Sequence, residues 1–132
     1  MQPRFHVSLR VIDDEYTDLP EEITNQTGIS PSETWRKGEV KTGTTIQYKD
    51  NGWELKSGLP LEAPLVDHVN FLLSAAGPAR KQLTLLTKKY YSVLACAVYF
   101  GEERPEIHFD NDLLRQIADM NLRLDLDLYC IE

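Results

Sequence analysis

Leu122-Arg123-Leu124-Asp125-Leu126-Asp127-Leu128-Tyr129 is the strictest alternation in the chain. Apolar and polar residues exchange at every step, which is the period of a strand with one buried face. Leu122, Leu124, Leu126 and Leu128 are expected to face a core. Arg123, Asp125, Asp127 and Tyr129 are expected to face outward. A slip of one residue would bury both aspartates, so the register is strongly specified.

Working back from this strand, Leu113, Leu114, Ile117 and Ala118 share one helical face behind a cap at Asp110 or Asn111, and Asn121 ends that helix. A short strand is expected at Ile107 to Phe109. Tyr91 to Phe100 is apolar on both faces, as a central strand covered on both sides would be. At the other end of the chain, Phe5, Val7, Leu9 and Val11 alternate with His6, Ser8 and Arg10, and Asp13-Asp14-Glu15 closes that strand with charge.

Asp18-Leu19-Pro20-Glu21 reads as a capped helix start, with Gly28 as its left-handed stop and Pro31 just beyond. A strand-like element follows around Trp35. Thr44 to Tyr48 and Trp53 to Lys56 then flank Lys49-Asp50-Asn51-Gly52, and Asn-Gly is a strong hairpin signal. Pro64 opens a helix with Leu65, Val66, Val69, Leu72 and Leu73 on one face. Gly77-Pro78 breaks it before a second helical segment carrying Leu83, Leu86 and Tyr90. The expected order is β-α-β-β-β-α-α-β-β-α-β. It predicts one α+β domain over residues 1–132, a two-layer, mostly antiparallel sheet with three to four helices. The first strand–turn–helix unit echoes the last, an expectation of an internally duplicated βα unit.

The chain has 132 residues, enough for one domain with a core of its own, and its 42% apolar and 27% charged content is that of a globular protein. Twenty-one acidic against fourteen basic residues give a net charge of −7. The basic groups Arg36-Lys37, Arg80-Lys81 and Lys88-Lys89 are short and scattered, so a phosphate-binding surface is not expected and neither is a nucleic-acid partner. No apolar run approaches the roughly 18 residues of a membrane span. Met1-Gln2-Pro3-Arg4 leads straight into the first strand without an apolar leader, which gives a cytoplasmic expectation. Cys96 and Cys130 both lie in strand-like runs and are expected to be buried, reduced thiols.

Leu19-Pro20-Glu21-Glu22-Ile23-Thr24, Gly28-Ile29-Ser30-Pro31-Ser32 and Arg36-Lys37-Gly38-Glu39 together resemble the opening motif of the domain-of-unknown-function family 4279. Trp53, the helix near Leu72-Leu73 and the closing Leu126-Asp127-Leu128-Tyr129 resemble the same family's pattern, so the resemblance runs over nearly the whole chain. It implies a small bacterial domain inside the cell. It brings no assigned activity and no catalytic residue.

The outward residues of the first and last strands form the leading candidate site. If those strands are neighbours, His6 and Arg10 share a face with Arg123, Asp125, Asp127 and Tyr129. Asp125 and Asp127 would stand about 6.5–7 Å apart at Cα, a spacing open to acid–base chemistry. Cross-strand ion pairing on a solvated face accounts for the same residues. Trp35 with Arg36 and Lys37 is a second candidate, a basic loop able to clamp an anion or peptide, or else a charged edge that resists aggregation. Tyr48, Trp53 and Leu55 suit an aromatic patch for a partner, or core packing.

No metal is expected, because His6, His68 and His108 lie on separate elements. Nucleophile, Walker and cofactor motifs are also missing from the sequence, so no cofactor is expected and the balance leans against an enzyme. Three readings follow. One is a non-enzymatic interaction protein of inhibitor or immunity type for a basic protein partner. Another is a small-molecule-binding protein or enzyme using the polar sheet face. The third is a homodimer or larger structural homo-oligomer, suggested by Ala95 and Ala97.

Overall fold

The alternation of Phe5, Val7, Leu9 and Val11 is realised in β1 (Arg4–Asp13), the middle strand of a five-stranded sheet. A computed structural model describes residues 1–131. Along the chain β1 is followed by α1 (Leu19–Thr27), β2 (Glu33–Trp35), β3 (Asn51–Lys56) and α2 (Leu65–Ala75). A 3₁₀ turn (Gly77–Ala79) leads into α3 (Arg80–Lys89), β4 (Tyr91–Phe100), α4 (Asn111–Asp119) and β5 (Arg123–Cys130). The sheet order is β2-β3-β1-β4-β5. Every pairing is antiparallel except β4 with β5.

Register carries the apolar positions of neighbouring strands onto one face. Val11 lies opposite Trp53, and Leu9 lies between Leu55 and Leu94. Val7 meets Cys96, and Phe5 meets Val98. Leu19 and Ile23 of α1, Val69 and Leu72 of α2, Leu83 and Leu86 of α3, and Leu113 and Ile117 of α4 join these residues in one core. All four helices thus pack on the same side. Trp53 is fully buried and donates its indole N–H to Thr24 of α1 at 3.1 Å, so it is a core residue and not part of a partner patch.

Helix ends follow sequence chemistry in part. Gly28 stops α1 with φ 72°, and its N–H returns to the Thr24 carbonyl. Asp110 caps α4 by accepting from the Leu113 N–H at 2.8 Å, and Asn121 after α4 has φ 56°. Asp18 makes no side-chain cap on α1. Asp13 shapes that turn instead, its carboxylate accepting from the N–H groups of Glu15 and Tyr16.

Three strand expectations need correction. Asn51-Gly52 is not a turn: both residues are buried within β3, which lies between β2 and β1. Thr44 to Tyr48 forms no strand, and the loop is organised by an isolated bridge between Val40 and Gln47 with backbone hydrogen bonds joining Gly38 and Glu39 to Tyr48 and Lys41 to Ile46. Asn51 suits its site because its amide links separate segments, accepting from the Lys37 N–H and donating to the Asp13 carbonyl. Ile107 to Phe109 also forms no strand, although both residues pack partly against the core.

A further correction concerns β5. Leu122 is buried and Leu124 partly so, but Leu126 and Leu128 are exposed. The core residues of α4 are Leu113 and Ile117, and they accompany only the first leucines of the alternation. Cys130 at the strand's end is likewise exposed, whereas Cys96 is buried, and the two form no disulfide. β4 is an inner strand as expected, yet no helix covers its second face. Tyr91 there is exposed, and Ala95 and Ala97 are half-buried.

Candidate functional site

The uncovered face of the sheet gathers most of the residues singled out from the sequence. Strand parity places His6, Ser8 and Arg10 of β1 on it, with Arg123, Asp125, Asp127 and Tyr129 of β5. Trp35 joins from β2 through its register with Gly52. The first and last strands are not neighbours, however. β4 runs between them, so His6 stands two strand spacings from Asp127, about 9.5–10 Å, and Arg10 is in register with Arg123 rather than with an aspartate. Ala97 lies between His6 and Asp127 in register, and Ala95 between Ser8 and Asp125.

Those small residues make the floor of a trough of about 480 Å³. One end is aromatic: the Tyr99 and Tyr129 rings stack at 4.9 Å, and His6 meets the Tyr99 ring edge-on at 5.3 Å. Farther along the trough sit Arg10 of β1 and its register partner Glu54 of β3. The loop after β3 makes a side wall, held along β1 by hydrogen bonds from the Phe5 N–H to the Leu61 carbonyl and from the Ser57 N–H to the Val7 carbonyl.

Glu54 was missed as a site residue, and it is the most constrained group on this face. Its side chain is almost completely buried, accepting from the Ser8 hydroxyl at 2.8 Å and from Arg10 Nε at 2.5 Å. A buried carboxylate is tolerated when its charge is paired and hydrogen-bonded, and here both donors converge on Oε2. Arg10 therefore pairs with Glu54 and not with the β5 aspartates. Lys56, two residues on, binds Glu33 at 3.0 Å, and that hydrogen bond raises its pKa above the ordinary lysine value. The alternation Trp53, Glu54, Leu55, Lys56 carried the signal for both residues, but the false turn at Asn51-Gly52 drew attention away from it.

On β5 the guanidinium of Arg123 lies 4.3 Å from the centre of the Tyr91 ring. Among the described residues, Asp125 and Asp127 have no cation within ion-pair distance. Burial, with these two carboxylates adding to it, pushes the Cys96 thiol up to about 12. Such a thiol stays protonated and is a poor nucleophile.

The Trp35-Arg36-Lys37 candidate is occupied internally. Trp35 stacks on Tyr48 at 5.5 Å and donates its indole N–H to Asp50 at 2.9 Å. Arg36 pairs with Glu21 of α1, and Lys37 Nζ reaches the Asp14 carbonyl at 3.4 Å. The loop beyond them, residues 38–47, is exposed.

Ser57 in the trough wall shares a 2.6 Å hydrogen bond with Nδ1 of His68, which is wholly buried in α2. Burial lowers the His68 pKa below its ordinary value, against the opposing influence of the Ala63 and Pro60 carbonyls and of Asp67. The contact ties the loop to the helical layer. Among the described residues no group of three or more His, Cys, Asp or Glu side chains converges as a metal site. No helix is long and apolar enough to cross a membrane.

A family model described as Domain of unknown function (DUF4279) matches residues 3–131. The chain belongs to this family. The match takes in all five strands and all four helices, so the uncovered face lies wholly inside the family domain. No curated protein and no solved structure matches the chain.

Proposed function

We propose that this family member is a non-enzymatic binding domain of inhibitor or immunity type that receives a basic protein on its uncovered sheet face. The observation that carries this reading is the unneutralised pair Asp125 and Asp127 beside an alanine-floored trough that no helix covers. Carboxylates left without cations on an acidic protein attract a basic surface, and complementary charge speeds encounter and fixes register. The buried Glu54 cluster holds the floor strands in place, so the surface is formed before the partner arrives.

Affinity capture from the native host, repeated with Ala97→Arg, tests this reading. A stoichiometric basic protein should be retained by the unaltered chain and released by the variant, which raises an arginine from the trough floor. Capture that yields no stoichiometric partner, or one that Ala97→Arg retains equally well, would overturn it. A small polar ligand is the second reading, favoured by the trough volume, which falls in the range of about 300–1,000 Å³ typical of ligand sites. A small molecule that co-purifies with the chain and is lost in Ala97→Arg would select it.

A further inference from the structure

β5 is a long sheet edge whose defence is charge. Natural edges are blunted by shortness, proline, charged side chains, bulges or a covering element. β2, the opposite edge, has only three residues. β5 has eight, with neither proline nor lysine, in unbroken register with β4 from Arg123 to Cys130.

The backbone of this edge has a definite polarity. The Ile131 N–H donates to the Phe100 carbonyl of β4 at 2.9 Å. Successive residues of a strand turn their backbone groups to opposite sides, so the odd-numbered residues of β5 serve β4. Leu124, Leu126 and Leu128 then present their N–H and C=O groups to the open side. The side chains add a pattern to this template. Leu126 is 38% and Leu128 55% exposed on the helix-bearing face, while Asp125 and Asp127 stand without cations on the other.

A second copy of this chain is a poor occupant. Antiparallel self-pairing about a two-fold axis keeps the paired residue numbers at a constant even sum when faces match. The two such registers that overlap most of the strand set Asp125 against Asp127 or Asp127 against itself. Like charges directly opposite are destabilising.

We infer that β5 accepts an extended segment of another protein as an antiparallel sixth strand, with basic residues opposite Asp125 and Asp127 and aliphatic residues beside Leu126 and Leu128. This rests on the basic-partner reading above and adds the binding mode, strand addition to an open edge. Backbone hydrogen bonds at Leu124, Leu126 and Leu128 supply attraction, and the alternation of charge and apolar surface selects the register.

The test uses the full chain and three capped peptides. One alternates Lys and Val, one has the same composition with the lysines and valines in separate blocks, and one alternates Asp and Val. The alternating Lys–Val peptide should bind with amide shifts centred on Leu124, Leu126 and Leu128, and the other two should bind at least roughly tenfold more weakly. Asp127→Lys, which leaves the fold's core untouched, should weaken the Lys–Val peptide by about tenfold. Leu128→Pro removes an outward N–H and should abolish binding, and where it unfolds the chain an N-methylated valine in the peptide replaces it.

Equal binding of the blocked and alternating lysine peptides, both weakened by Asp127→Lys, would overturn strand addition and leave the basic-partner reading standing. No binding of any lysine peptide overturns the strand inference, and the Ala97→Arg capture then decides the other reading separately. Dimerisation of the free chain through β5, lost in Leu128→Pro, would also overturn it.

Discussion

Trp35 lies flat over Gly52, its register partner across β2 and β3, so closely that a Cβ at residue 52 would fall inside contact distance of the indole ring. The indole is itself pinned by Tyr48 and Asp50 and cannot easily retreat. Gly52→Ala should therefore destabilise the domain by about 1–3 kcal/mol, the usual cost of overpacking. In a Trp35→Ala background the same change should cost little. Urea unfolding of the four chains measures the coupling, and additive effects would show that the ring does not explain the glycine.

Glu54 should be the most sensitive polar position on the uncovered face. Glu54→Ala strands the buried Ser8 hydroxyl, at about 1–3 kcal/mol, while the half-exposed Arg10 guanidinium turns to water. Glu54→Gln keeps an acceptor for Ser8 and should cost less. Thermal unfolding ranks the two variants, and equal losses would mean that shape rather than hydrogen bonding governs the position.

Much of this fold was readable because hydrophobic period and burial agree along β1 and most of the helical faces, although Leu114 and Ala118 of α4, aligned with Leu113 and Ile117 in sequence, are exposed. Asn51-Gly52 shows where local chemistry misleads. The dipeptide that favours a tight turn is here an amide bridging two segments and a glycine beneath an indole, and both demands are set by Trp35, Lys37 and Asp13 from elsewhere in the chain. The alternation of β5 correctly gave a strand and two faces. It gave no information on how far the helices reach, so Leu126 and Leu128 were expected inside. The candidate face was legible as a set of outward residues, but the partner of Arg10 depends on strand order. With β4 intervening, Arg10 found Glu54 instead of the aspartates.

The two thiols should differ sharply in reactivity. Cys96 is buried with its pKa pushed up to about 12, and Cys130 is exposed. A thiol reagent such as Ellman's should modify one cysteine of the native chain at mildly alkaline pH and two after denaturation. Cys130→Ser should remove the native reaction. Rapid loss of both native thiols would contradict the burial of Cys96.

His68 should make the domain less stable in mild acid. Its folded pKa lies below the unfolded value of about 6.5, so the unfolded chain takes up the proton first. The stability tied to neutral His68 is complete above about pH 6.5 and is lost as pH falls through the lower folded value. Denaturation midpoints across this window should decline with pH, and His68→Gln should flatten that decline. An unchanged slope in the variant would assign the effect to other groups.

The central place of β1 also governs the order of assembly during synthesis. It is made before the other four strands of its sheet, yet one of its two neighbours is β4, encoded some ninety residues later. A nascent chain arrested before Tyr91 can pair β1 only with β3, leaving its other side open to chaperones or to misassociation. Protease resistance in ribosome-stalled chains should therefore rise abruptly once β4 has emerged.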